Sequence, residues 1–324
     1  MISVSHSRIK TFRRCFKKHD YRYNQRLAVK AKPAPLLKGT IIHEMIDAMV
    51  DHKDPFNVTV KYAKQYKQLF REQREEYGDD FISEIERIFE AYKRTYKDDK
   101  LKYERSEEEF RVVLVKKKIE LIYIIDKIAI DPEGRRWLMD HKTCKSIPEE
   151  KDRFSDIQLV LYYWAENQRK PKADLDGVLW DYIRSKPPTI PDQLKNGGLS
   201  QAKSIATDYH TYLAEISRLR LDPKPYQGFL VDLKRRGTTD FFQRIRLPTP
   251  SPEMVKSVVD DARETAILID EYGLNLKARN LTKNCSWDCE FYKLCHAELR
   301  GLDADFVRKT HFEVRDENRK EKVE

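Results

Sequence analysis

The feature that most constrains the fold of this chain is a change of hydrophobic period near residue 110. Upstream, apolar residues recur at helical spacing. Ile42, Met45, Ile46 and Met49 share one face of a predicted helix over residues 39–51. From Phe110 the pattern shortens to runs of β-branched and apolar residues over 110–115, 119–130 and 136–141. Asp131-Pro132-Glu133-Gly134, between the last two, has the composition of a hairpin turn. A helix over 156–167 and a strand over 176–184 are expected next. Strands that meander, pass through a helix and return to a strand predict an α/β core.

The flanking segments are expected to be mostly helical. A helix over 5–25 is entered through Ser5 or Ser7, a proline-marked loop covers 30–38, and two amphipathic helices cover 58–77 and 80–96. A long loop over 186–198, a helix over 200–220 and a late hairpin over 229–233 and 241–247 follow. The helix over 251–272 is capped by Ser251, with Pro252 at its first position. From Arg308 the chain is charged and expected to fray. No internal repeat is visible.

Composition narrows the class. The 324 residues are 40% hydrophobic and 36% charged, which describes a globular protein able to bury a core rather than a disordered or fibrous one. No apolar run reaches bilayer length, and the first residues have no basic-then-apolar signal pattern, so a cytoplasmic protein is expected. Lys plus Arg exceed Asp plus Glu, 63 to 54. This suits a polyanionic partner, although so thin an excess does not single out nucleic acid. Five cysteines without a secretion signal argue against a disulfide framework.

Three charged residues close the central strands. Asp126 ends the run Ile122-Tyr123-Ile124-Ile125, and Asp140 and Lys142 end the next strand. Side chains alternate along a strand, so Asp140 and Lys142 share a face. The hairpin brings Asp126 beside them. Two carboxylates and an amine at the end of an apolar sheet suit Mg²⁺ or Mn²⁺, which activate a bound water, with a lysine to orient it and offset charge. Asp-x-Lys alone describes a surface ion pair more often than an active site.

Context changes that balance. Asp126, the hairpin and Asp140-His141-Lys142-Thr143 resemble the core of the PD-(D/E)XK nuclease superfamily. The likeness is to its RecB-type branch, which includes AddB, CRISPR-adaptation nucleases and many phage exonucleases. Gly39-Thr40-Ile41-Ile42-His43 resembles the Gly-x-x-x-His helix that precedes the core there, and Gln158-Leu159-Val160-Leu161-Tyr162 the Gln-x-x-x-Tyr helix that follows it. The resemblance runs from residue 5 to 295. It implies a restriction-endonuclease-like core with a mixed central sheet flanked by helices. It further implies that His43, Asp126, Asp140 and the backbone carbonyl of His141 hold the metal, that Lys142 is catalytic, and that Gln158 and Tyr162 support the site or contact DNA. Two departures are Ile124-Ile125 and Cys144, where relatives often carry glycine. Without this likeness, His43 reads as a core histidine, and Gln158 and Tyr162 as packing on one helix face. Glu108 and Glu109 offer further carboxylates.

Cys285, Cys289 and Cys295 lie close together, and bulk alone rarely explains three such thiols. A [4Fe–4S] cluster needs four thiolates, and Cys15 is the candidate for the fourth. Nucleases of the same branch show one N-terminal and three C-terminal cysteines, which implies such a cluster here. The first gap is three residues where many relatives have two, and zinc remains the alternative occupant. Clamping Cys15 to the C-terminal segment would staple the chain. Cys144 reads as a small buried residue.

The resulting organisation is a helical region over 1–100 carrying Cys15 and the Gly39–His43 helix, and a nuclease core with a late hairpin over 101–250. A C-terminal helix with the iron–sulfur segment follows over 251–307, then a charged tail over 308–324. Ser7, Arg8, Lys10, Arg13, Arg14, Lys17 and Lys18 line the first helix, and Lys234-Arg235-Arg236 sits in a predicted loop before Arg244. Arg235, Arg236 and Arg244 are expected to touch nucleic acid, a solvated charged face being the alternative.

The expected activity is that of a Mg²⁺- or Mn²⁺-dependent DNA exonuclease in recombination, repair or phage DNA processing, acting on single-stranded DNA or free ends. A phage-encoded enzyme would work in the host cytoplasm. The chain has no phosphate-binding loop of the Gly-x-x-x-x-Gly-Lys-Ser/Thr type, so unwinding would need a helicase or recombination partner. The alternatives are a non-catalytic iron–sulfur DNA-binding scaffold and a CRISPR-type adaptation nuclease. Polarity of digestion and oligomeric state stay open.

Overall fold

The computed structural model of the protein describes residues 2–68, 71–153, 157–169 and 175–315. Among these, six strands form one mixed sheet: β1 (Ile2–Ser5), β3 (Lys102–Val115), β4 (Ile119–Ile130), β5 (Arg136–Cys144), β6 (Leu175–Arg184) and β7 (Phe242–Pro248). Two more, β2 (Leu27–Val29) and β8 (Phe312–Val314), pair antiparallel on their own. β4 is the hub. It pairs antiparallel with β3 along most of its length, parallel with β1 over its first four residues, and antiparallel with β5 over its last four. β5 then pairs parallel with β6, and β6 antiparallel with β7.

The hairpin between β4 and β5 forms as expected, with Gly134 at φ +82° and the Asp131 side chain accepting from the Glu133 and Arg135 backbone N–H groups. At Gly177 a Cβ would meet the Leu247 carbonyl oxygen at 2.2 Å, so β6 and β7 approach there only because no side chain intervenes.

The helices are α1 (His6–Arg14), α2 (Phe16–His19), α3 (Ala34–Val50), α4 (Phe56–Lys67), α5 (Arg71–Tyr77), α6 (Phe81–Thr95), α7 (Glu150–Arg153), α8 (Gln158–Arg169), α9 (Tyr209–Arg218), α10 (Gln227–Arg236), α11 (Pro252–Tyr272), α12 (Cys285–Asp288), α13 (Tyr292–Arg300) and α14 (Ala304–His311). Side chains of α1, α8 and α11 share one core with the sheet, including Phe12, Tyr123, Leu138, Leu161, Trp180 and Ala266. α3 and α6 build a second core around Ile42, Met45, Ile88 and Phe89, closed by Ile183 and Phe242 from the sheet and by Phe241 just before β7. The sheet is therefore flanked by helices, as the superfamily likeness implied. Among the described residues no helix is long and apolar enough to cross a membrane.

Several expectations need correction. The first helix is broken. Cys15 is extended (φ −164°, ψ 118°), and a π-helical turn follows α2 at Asp20–Asn24. Partners from distant chain take over at the break: Lys17 N–H donates to the Ala278 carbonyl, and Asn280 Nδ2 donates to the Arg14 carbonyl. α3 starts at Ala34, because Pro33 and Pro35 occupy positions where a helix needs no N–H. Helix over 200–220 is confined to α9. The late hairpin does not form. Residues 229–233 lie within α10, where Phe229, Leu230 and Leu233 are buried while Val231 is 69% exposed, a helical distribution rather than an alternating one. Past Arg308 the chain completes α14 and pairs Phe312–Val314 with Leu27–Val29, so the first part of the supposed tail is built in. The remainder, 316–324, and the expected helix start at Asp156 lie outside the described residues.

Candidate active site

The site forms where β4 and β5 part. Their pairing ends at Lys127↔Met139, which puts Asp126 opposite Asp140 at the point of divergence. Asp126 Oδ2 accepts the His141 backbone N–H at 2.9 Å. Lys142 Nζ lies 3.0 Å from Asp140 Oδ2 and donates to Gln158 Oε1 at 2.9 Å. Gln158 Nε2 approaches Asp140 Oδ1 at 3.4 Å, so the first residue of α8 closes a ring with the carboxylate and the lysine. Lys142 also sits over the Trp180 ring, 5.6 Å from its centroid. Asp140 is buried, whereas the Lys142 side chain keeps 31% exposure and can reach a ligand. His43 arrives from α3, its Nδ1 3.9 Å from Asp126 Oδ2, and its ring meets that of His141 edge-on at 5.6 Å.

Burial resists ionisation of Asp126, but the neighbouring His43 and His141 and the His141 N–H outweigh it and hold the carboxyl below its ordinary range. Burial lowers His43, with Asp126 opposing, so its imidazole stays neutral to lower pH than a free histidine. Anionic oxygens beside a neutral imidazole are donors suited to Mg²⁺ or Mn²⁺.

The sequence profile of the PD-(D/E)XK nuclease superfamily matches residues 3–296. The chain belongs to this superfamily. No curated protein matches it. A solved structure described as "Crystal structure of SSO0001" is similar at 14% identity, over 73% of this chain and 79% of that one, with a TM-score of 0.32, too low to carry any argument. Membership makes the protein a metal-dependent nuclease.

The donor chemistry fits that requirement: His43 stands beside Asp126, Asp126 lies opposite Asp140 where the strands part, and these residues with the His141 carbonyl are the donors that could hold a divalent ion. Among the described residues, no three His, Cys, Asp or Glu side chains already stand together as a ready-made ion site. Asp140 is engaged by Lys142 instead.

Other expected residues fall elsewhere. Tyr162 is buried in the core with its ring 5.6 Å from Tyr123, one turn beyond Gln158 and away from solvent. Glu109 pairs with Arg111 at 3.2 Å, and the side chain of Glu108 lies outside what is described. Arg235 and Arg236 belong to the last turn of α10, not to a loop. Both pair with Asp232, at 2.7 and 2.9 Å, and Arg236 stacks over Phe229. Arg244 is not a surface cation. Its guanidinium is bonded to Asp181, Asp99 and Tyr92 and lies 3.8 Å from the Tyr96 ring centroid.

Four residues around this candidate site escaped the sequence reading: Lys127, Asp47, Asp181 and Tyr92. Lys127 is fully buried and paired with Asp47, one turn beyond His43 on α3. Asp181 accepts from Tyr92 at 2.6 Å and lies 2.7 Å from His141 Nδ1. The signal was there: a lysine within Ile125-Asp126-Lys127-Ile128 and an acid within Leu179-Trp180-Asp181-Tyr182 are each a charge inside an apolar run.

The cysteines converge from both ends of the chain. Cys15, Cys285, Cys289 and Cys295 all line one cavity of about 80 Å³, with Arg14, Lys18 and Arg279 at its walls. Thr282 donates to Cys285 Sγ from its backbone at 3.3 Å, and this bond first, then the Thr282 hydroxyl and the charge of Arg14, lowers the thiol. Burial pushes Cys289 and Cys295 up, while Lys18 and Arg279 respectively act in the opposite direction. Cys144 is half-buried away from this cavity, its thiol pushed up to about 11 by burial.

Proposed function

We propose that the protein is a Mg²⁺- or Mn²⁺-dependent DNA exonuclease whose active site is Asp126, Asp140 and Lys142, completed by His43, the His141 carbonyl and Gln158. The observation that carries this reading is the ring of Lys142, Asp140 and Gln158 set against Asp126. When bound, the divalent ion supplies an activated water and offsets phosphate charge. The chain's residues do the rest. Asp126 is pre-aimed by the His141 N–H, and the partly exposed Lys142 ammonium can leave Asp140 to orient the attacking water and meet the negative charge that builds on phosphate oxygens. Gln158 holds Lys142 and Asp140 in one geometry. Arg235, 82% exposed at its side chain, is the proposed phosphate contact on α10.

A [4Fe–4S] cluster bound by Cys15, Cys285, Cys289 and Cys295 is part of this reading. Four thiols around about 80 Å³ suit a bulky cluster better than one zinc ion, whose Zn–S bonds of ~2.3 Å would draw them together. The cationic walls suit thiolates. The cluster's role is to tie the N-terminal helices to the C-terminal segment. Processing of DNA ends in recombination, repair or phage replication, beside a separate unwinding partner, is the setting such an enzyme fits.

The test is digestion of end-labelled single- and double-stranded DNA by anaerobically purified protein with Mg²⁺ or Mn²⁺. Metal-dependent loss of terminal nucleotides is expected, abolished in Asp140→Ala. Equal cleavage by wild type, Asp140→Ala and Lys142→Ala would overturn the site, and cleavage of closed circles at the rate of linear DNA would overturn the exonuclease assignment.

A further inference from the structure

Two consecutive residues of β4 meet two residues one turn apart on α3. Asp126 Oδ2 lies 3.9 Å from His43 Nδ1, and Lys127 is ion-paired with Asp47. One turn before His43, a Cβ at Gly39 would stand 3.6 Å from Thr143 Oγ1 on β5. Gly39, His43 and Asp47 follow one another at four-residue intervals, so they form one line along which α3 rests on the sheet. The Lys127 side chain is fully buried, whereas that of Asp47 keeps 22% exposure.

Elsewhere α3 is held by apolar contact. Ile41, Ile42, Met45 and Ile46 are buried in the core shared with Ile85, Ile88 and Phe89 of α6. Such burial is strong but non-directional. A screw motion of α3 by one residue would carry His43 about 1.5 Å along the helix axis and turn it by about 100°. The same motion would draw Asp47 away from an ammonium that water does not reach, which is costly. The pair therefore resists a slip that apolar packing tolerates. A buried ion pair is also a poor means of adding stability, because apolar residues of similar size often hold a fold as well or better. Its best-attested use is to select one register among several.

We propose that Asp47 and Lys127 are a positioning pair that sets the register of α3 on the sheet and so holds His43 beside Asp126 for the nuclease reaction. The proposal rests on the reading of His43 and Asp126 as parts of the active site, and it adds the device that brings helix and strand together there. Lys127 follows Asp126 directly in the chain, and Asp47 lies one turn beyond His43, so each anchor is rigidly tied to the residue it places.

The test separates register from stability. In Asp47→Leu/Lys127→Met an apolar contact replaces the ion pair, and the urea midpoint should equal or exceed that of the wild type. The kcat for Mg²⁺- or Mn²⁺-dependent DNA cleavage should nevertheless fall roughly 10–100-fold, with KM for DNA unchanged. A crystal structure of this variant should show His43 displaced relative to Asp126 by more than about 0.5 Å, the tolerance of a catalytic constellation. Asp47→Asn, which can still accept from Lys127, should behave in the opposite way, with a lower urea midpoint and kcat close to that of the wild type. A double variant with wild-type turnover overturns the proposal. So does one that loses turnover with His43 in place, and so does one that fails to fold, because the pair is then needed for stability itself. A folded Asp47→Asn that loses turnover with His43 in place overturns it without reference to the double variant. Wild type that cleaves no DNA overturns the active-site reading alone, and the position of His43 in the double variant then still decides whether the pair sets the register.

Discussion

Lys142 Nζ lies 3.0 Å from Asp140 Oδ2, two residues back along the same strand. The amine thus neutralises a buried carboxylate, and the two substitutions should separate. Asp140→Ala removes a proposed metal-ligand oxygen, so Mn²⁺ affinity and cleavage should both collapse. Lys142→Ala frees Asp140, so Mn²⁺ binding should persist while cleavage falls by roughly 10²–10⁴-fold. Calorimetry beside a single-turnover cleavage assay checks this. Loss of Mn²⁺ binding in Lys142→Ala would show that the lysine organises the site rather than acting in the reaction.

Lys127 is fully buried, whereas its partner Asp47 keeps 22% side-chain exposure. Breaking the pair should therefore be asymmetric. Asp47→Ala strands a buried ammonium and should cost about 3–5 kcal/mol, while Lys127→Met leaves a carboxylate that water can reach and should cost less. Urea unfolding of both variants measures the order. The reverse order would mean that Lys127 finds another partner when Asp47 is gone.

Cysteine removal should be graded by position. Cys15, Cys285, Cys289 and Cys295 line one cavity, and Cys144 does not. Serine at any of the four should abolish iron content and visible absorbance in anaerobic protein and lower Tm. Cys144→Ser should leave both unchanged. Zinc in place of iron in a fully active anaerobic preparation would sink the cluster.

His19 predicts an acid-side loss of stability. Its ring is fully buried between Phe12 and Tyr23, and burial, then the charge of Arg8, lowers its pKa from 6.5 to about 4. The unfolded chain takes up the proton first. This contribution is therefore complete above pH 6.5 and declines as pH falls toward 4, by roughly 3 kcal/mol at about 1.4 kcal/mol per unit. His19→Gln should flatten that part of the stability–pH curve, read by urea midpoints between pH 4 and 7. An unchanged slope would contradict it.

What was legible in the sequence follows from how local each signal is. The β4–β5 hairpin, the shared face of Asp140 and Lys142, and the Ser251 cap, whose hydroxyl accepts from Met254 N–H, are set by neighbours in the chain. The same is true of Gln158, placed by the start of a helix. Errors came where distant chain decides. Arg244 looked like a free cation because Asp99, Asp181 and Tyr92, which saturate it, lie far away in sequence. Cys15 breaks its helix because residues 278–280 supply alternative partners. Phe229–Leu233 reads as a strand until Tyr212, 4.9 Å from Phe229 between ring centroids, shows which face is covered.

The pairing of Leu27–Val29 with Phe312–Val314 has a consequence for how the polypeptide matures. β2 has no partner until residue 312 has left the ribosome, and β1 must wait for residue 119 before it can join the sheet. β2 can therefore settle only after chain far downstream of it has emerged, whereas β1 can join the sheet much earlier. A ribosome-stalled chain ending before residue 300 should accordingly be cut by protease near residues 27–29 while its β4–β5 hairpin is already resistant.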